Sequence, residues 1–181
     1  MRAFDCNCKL SYELALRFKS DGYDVAIRYV GRLKQASIDI DKVELNNILR
    51  AKLGLGIVQH CPPKPGIIPT RELGITYGKN AVIFAKEAGY KEGCIEYLDL
   101  EDVNPEYSKK QTLIYDYCNY WYDNVYKTYL PGLYVGFNTY LSGDELFYKL
   151  KYRDYWKGIS RVPDVTKRGY AMVQGKQIIP G

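Results

Sequence analysis

The chain reads as an α/β protein built on a (β/α)8 TIM-like barrel. Short apolar runs alternate with longer segments of helical period, the pattern of repeated strand–helix units around a parallel sheet. Seven such runs occur within 181 residues, enough for one domain and short for two. A full barrel commonly needs about 200 residues or more, so this one is compact, with its eighth strand missing or barely begun. An open doubly wound sheet is the alternative.

Met1–Cys6 reads as the first strand, and Ser11 is placed to cap a helix over Tyr12–Ser20. Gly22 closes that helix before a second strand, Asp24–Tyr29. Asp41 with Glu44 makes a capping-box-like start to a helix continuing through Leu53. Leu55–His60 is the third strand. A proline-rich stretch from Cys61 to about Thr76 breaks the rhythm, and loops of that length are usually functional or disordered. A helix bearing Ala81, Phe84, Ala85 and Ala88 leads to Gly89, and Cys94–Asp99 is the fourth strand. The helix over about Lys110 to Tyr129 carries Ile114, Cys118, Trp121 and Val125 on one stripe. Leu133–Phe137 is the fifth strand, and Ser142 with Glu145 boxes a helix through Leu150. Tyr155–Ile159 and Gly169–Gln174 read as strands six and seven. The chain stops at Ile178-Ile179-Pro180-Gly181, where another strand is due, and so reads as a fragment of a longer protein.

Composition narrows the function classes. With 46% hydrophobic and 26% charged residues the chain is an ordinary globular protein. Its net charge of +5 falls short of a clustered nucleic-acid footprint, and no nucleic-acid motif is present. Nineteen tyrosines supply apolar faces with polar tips, suited to wet ligands such as sugars. No apolar run reaches about 18 residues, so no membrane insertion is expected. No secretory signal is read at the N-terminus, and the expected site of synthesis is a cytoplasm. Five cysteines lack a secreted-scaffold pattern. No glycine-rich dinucleotide or phosphate loop occurs, so no cofactor is expected. Nor is a metal: Cys6, Cys8, His60, Cys61 and Cys94 offer ligands but no paired Cys-x-x-Cys spacing.

Chemistry in either architecture belongs at the C-terminal ends of the strands, where the loops converge. Tyr97-Leu98-Asp99-Leu100-Glu101 is the sharpest feature there. Alternation puts Asp99 and Glu101 on one face, about 6–7 Å apart. Two desolvated carboxyls that close cannot both ionise freely, so one holds a proton near neutral pH. Glycoside hydrolysis requires this pairing of a proton donor with a carboxylate that stabilises a cation. Asp5, ending the first strand, adds a third acid. Tyr29, Tyr97, Tyr134 and Trp156 sit near strand ends where rings stack on sugars, and Gln174 ends the seventh strand. Arg28 offers a bidentate anchor for a carboxylate, either a ligand's or an internal one. His60 is the single histidine.

Phe4-Asp5-Cys6, Gly22–Tyr29, Gly74 to Ala88, Tyr97–Glu101, Gly132–Gly136 and Arg168–Gln174, in this order and spacing, resemble the barrels related to glycoside hydrolase family 25. The resemblance spans essentially residues 1–181 and is nearest in kind to catalytic domains of clostridial bacteriophage endolysins. It implies a peptidoglycan muramidase that cuts between N-acetylmuramic acid and N-acetylglucosamine, acting at the bacterial cell wall after synthesis without a signal peptide. A wall-binding domain would lie beyond Gly181. Carried over by position, Glu101 is the general acid. Asp99 stabilises the oxocarbenium ion or orients the substrate's acetamido group, and Asp5 stands across the mouth. Arg28, Tyr29, His60, Tyr97, Tyr134, Trp156 and Gln174 become substrate contacts. Cys6-Asn7-Cys8 departs from the small polar residues expected after Asp5. Direct attack by Asp99 and assistance by the substrate's own acetamido oxygen both remain open, the second favoured. A non-catalytic glycan- or wall-binding barrel is the alternative function.

Overall fold

The computed structural model describes residues 1–175. Seven strands form one sheet in sequence order: β1 (Ala3–Asp5), β2 (Val25–Val30), β3 (Gly54–Gln59), β4 (Ile95–Leu100), β5 (Leu130–Val135), β6 (Asp154–Lys157) and β7 (Met172–Val173). Every pairing is parallel. Five helices intervene: α1 (Tyr12–Ser20), α2 (Lys42–Arg50), α3 (Arg71–Glu87), α4 (Gln111–Val125) and α5 (Gly143–Lys149).

Among the described residues the sheet is curled but open, a half-barrel rather than the closed barrel expected. Among the described residues β1 pairs only with β2 and β7 only with β6. The seventh strand is two residues rather than six, and the link from β6 to β7 contains no helix. The eighth strand awaited at Ile178-Ile179 lies outside the described residues. The curl still brings the edges together at the C-terminal end, where Gln174 Nε2, just past β7, donates to Asp5 Oδ1 at 3.2 Å.

Local signals explain most of the elements. Ser11, Asp41 and Ser142 each accept a hydrogen bond from the backbone N–H three residues on, and Glu145 completes the reciprocal box. The proline-rich loop ends earlier than expected, because Thr70 caps α3 by accepting from the Leu73 amide. Gly74, inside the stretch expected to be loop, lies inside α3 for a packing reason. A Cβ there would stand 2.4 Å from the Tyr117 carbonyl oxygen of α4, so only glycine lets the two backbones approach so closely.

Alternation divides the side chains between two environments. The outer face, with Ala26, Val30, Ile57, Leu98, Leu100, Leu133 and Val135, joins the helices in the main core. The inner face carries Ile27, Val58, Tyr97, Tyr134 and Trp156, a smaller apolar cluster lining the curl.

Candidate functional site

Above that inner cluster, at the C-terminal ends of the strands, a cavity of about 150 Å³ is lined by Asp5, Tyr29, Val58, Asp99, Glu101, Tyr134, Trp156 and Gln174. Strand register builds it. Tyr29 stands beside Val58, and Asp99 beside Tyr134, which stands beside Trp156. Glu101 follows Asp99 by two residues and therefore keeps its face.

The three acids are held differently. Both oxygens of Asp5 accept a hydrogen bond, Oδ2 from the Tyr29 hydroxyl at 3.0 Å and Oδ1 from Gln174. The Gln174 amide oxygen in turn accepts from the Tyr134 hydroxyl at 3.1 Å and from the Ile159 amide at 3.2 Å. Asp99 is only 7% exposed, and its Oδ1 is buried without a hydrogen-bond partner. Burial first, then the neighbouring charge of Glu101, push its carboxyl well above the usual carboxylate range; an N–H of Cys61 and the Arg32 charge oppose them. Glu101, less deeply set, is raised as well, by burial and then by Asp102. Tyr29 and Tyr134 are raised chiefly by burial, with the acids' charges adding to it, so both hydroxyls stay protonated donors.

The position of Glu101 is enforced from β5. A Cβ on Gly136 would fall 2.3 Å from the Glu101 Cβ and 2.4 Å from one of its carboxylate oxygens. Cys61 enters from the opposite side, its Sγ donating to the Glu101 carbonyl at 3.1 Å. The loop that carries it is pinned rather than loose. The Ile67 amide donates to the Asp102 carbonyl, and the Asn104 amide to the Ile67 carbonyl. Among the described residues, Cys61 Sγ and a carboxylate oxygen each of Asp99 and Glu101 lie within 4.8 Å of one another.

Three of the expected substrate contacts lie elsewhere. Arg28 neighbours Tyr29 in β2 and so faces the helices. It is fully buried, with Nε 2.6 Å from Glu44 Oε1 and Nη2 2.9 Å from the Ile38 carbonyl. It is a buried internal anchor. His60 stands behind Tyr29, stacked on it at 4.6 Å, with Nε2 2.7 Å from Asp39 Oδ1, and so fixes the ring that donates to Asp5. Tyr97 lies below the cavity, its hydroxyl bound to Asp154 Oδ1 at 2.8 Å. Tyr134 and Trp156 do line the cavity, yet they pack edge-to-face on each other at 4.7 Å. At 3% exposure Trp156 has no free face for a sugar. Sequence reasoning did not find Cys61, Arg32 or Gly136 as parts of this site; a glycine near the end of the strand expected over Leu133–Phe137 was the available signal for the last.

A curled parallel sheet with an acid pair at the C-terminal end of its fourth strand has the architecture of a glycoside-hydrolase-like domain. The chain belongs to the Rv2525c-like, glycoside hydrolase-like domain family, whose model matches residues 16–172. Among solved structures it is similar to the Tat-secreted protein Rv2525c of Mycobacterium tuberculosis. In the complex with HEPES the TM-score is 0.67 at 16% identity, covering 98% of this chain and 88% of the other. In the complex with L-tartrate it is 0.63, again at 16% identity, covering 92% and 80%. No curated protein sequence matches. These likenesses establish the glycoside-hydrolase-like fold.

Proposed function

We propose that the protein is a glycan hydrolase of the muramidase type, cutting peptidoglycan between N-acetylmuramic acid and N-acetylglucosamine at the bacterial cell wall. The observation that carries this reading is that Asp99, with one oxygen buried and partnerless, lines the same cavity as Glu101. Such a pair titrates as a unit. In the reactive form the proton sits on Glu101, the more exposed acid, and the charge on Asp99.

Burial of Asp99 disfavours that form in the free protein. An acetamido N–H donating to the Asp99 carboxylate favours it, so substrate binding itself arms the acid. Glu101 then protonates the glycosidic oxygen as the bond to the anomeric carbon breaks. The acetamido oxygen attacks that carbon, and Asp99 holds the N–H while positive charge develops. Water then opens the ring intermediate, returning the proton to Glu101. One oxygen of each acid lies within 4.8 Å of the other's, which fits a retaining pair better than an inverting one with acids about 6.5–9.5 Å apart. Asp5, clamped by Tyr29 and Gln174, lines the far wall. A cavity of about 150 Å³ takes the reacting end of a glycan, with the rest of the polymer on the rim.

The test is digestion of purified cell walls followed by mass spectrometry of the fragments. New reducing ends on N-acetylmuramic acid, absent with Glu101→Gln, are expected. Wall binding without any released reducing sugar would replace this reading with a glycan-binding domain.

A further inference from the structure

We propose that Cys61, Asp99 and Glu101 form a binding site for one zinc-class divalent cation, with a fourth coordination position open to the cavity. The site goes beyond the hydrolase reading and does not depend on it.

Its donors come from three places in the fold: the start of the pinned loop after β3, the end of β4, and the residue just beyond β4. Their ligand atoms already lie within 4.8 Å of one another. A tetrahedral ion with bonds of about 2.0–2.3 Å holds its ligands roughly 3.5 Å apart, so the set has to contract by no more than about 1.3 Å to close on one. A separate observation points to a ligand. Asp99 is more than nine-tenths buried, and its Oδ1 faces no donor. A buried oxygen left in that state is costly, and a cation engaging the Asp99 carboxylate beside Cys61 offsets that cost.

The donor set selects the ion. Calcium and magnesium take six or more oxygens, many of them from water. One thiolate with two carboxylates suits zinc, cobalt(II) or cadmium, for which sulfur is a favourable ligand. Three protein ligands and an open fourth position make the arrangement of a reactive rather than a closed structural zinc site. Three deprotonated ligands and a dication leave one negative charge; burial and the charges of Asp99 and Glu101 raise the Cys61 thiol until the dication offsets them, and the Arg32 guanidinium opposes that rise. Loading releases the thiol proton, and the proton held by the acid pair, to solvent. An ion there engages both acids, so it blocks proton donation to a glycan.

Cobalt(II) is the spectroscopic stand-in. The titration uses the 181-residue protein with Cys6→Ser and Cys8→Ser, since those two thiols lie 3.1 Å apart and would themselves take a soft ion. One cobalt per chain is expected, with a thiolate-to-cobalt charge-transfer band in the near ultraviolet that zinc abolishes by displacement. Adding Cys61→Ser removes the band. It also weakens zinc binding by at least about 100-fold, the upper end of what losing a mere outer-shell partner costs. Asp99→Asn, checked for folding by circular dichroism, weakens zinc comparably and gives the answer if Cys61→Ser does not fold. Failure of the band to form, or its survival in Cys61→Ser, overturns the site. None of these readouts depends on wall cleavage, so the site and the hydrolase reading fail separately.

Discussion

The two faces of the sheet bury charge in opposite ways. On the outer face Arg28 and Glu44 neutralise one another at 2.6 Å, while Glu96 stands alone with both carboxylate oxygens lacking partners. On the inner face Asp99, three residues along the same strand, also has an orphan oxygen, but it borders a cavity and a second acid. Burial alone pushes Glu96 up to about 8. Asp99 is raised by burial and by the charge of Glu101. Both acids therefore hold protons beyond the usual carboxylate range, and only one can exchange them with a ligand. A displaced pKa marks a reactive group where it coincides with access.

The comparison breaks most decisively on activity. Glu101→Gln is expected to lower release of reducing sugar from cell walls by about 10²–10⁴-fold, the usual worth of a positioned acid. Glu96→Gln should leave that rate nearly unchanged, and equal losses in both variants would erase the distinction between the faces. Stability against pH comes next. An acid raised on folding favours the folded state most below its unfolded pKa. For Glu96 that advantage fades as pH climbs from 4.5 to about 8, by as much as about 5 kcal/mol. Urea midpoints should accordingly fall between pH 5 and pH 8, and Glu96→Gln should flatten the decline. Asp99→Asn acts with the same sign, so a flatter curve in that variant alone would reverse the assignment.

Arg28→Ala leaves buried Glu44 with only Lys9 Nζ at 3.6 Å and the Leu10 amide, and is expected to cost about 3 kcal/mol in denaturant unfolding. Glycan binding by whatever fraction stays folded should persist, which separates an internal anchor from a ligand contact. The smallest effect is Gly136→Ala. The new methyl displaces Glu101, costing about 1–3 kcal/mol in stability and lowering turnover more than affinity.

Elements β2, β3 and β4 were legible to within a residue, since period-two alternation and the Ser11 and Asp41 caps are local properties. The start of α3 was not. Gly74 signals a break when read along the chain and close packing only when Tyr117 is alongside. Openness of the sheet is likewise a relation between distant strands. Asp5, Asp99 and Glu101 could be placed because strand ends and alternation fix their direction. Alternation also separates Arg28 from Tyr29, and assigning both to one site ignored it. Cys61 meets Glu101 across 40 positions, a contact no local pattern carries.

The hydrogen bond between Gln174 and Asp5 joins residues 169 positions apart. A nascent chain that has emerged only through β6 has all three acids but lacks the amide that steadies the first of them. That wall of the cavity is therefore finished late, after nearly every strand has left the ribosome, and chains ending at β6 are expected to leave Asp5 Oδ1 without its amide donor.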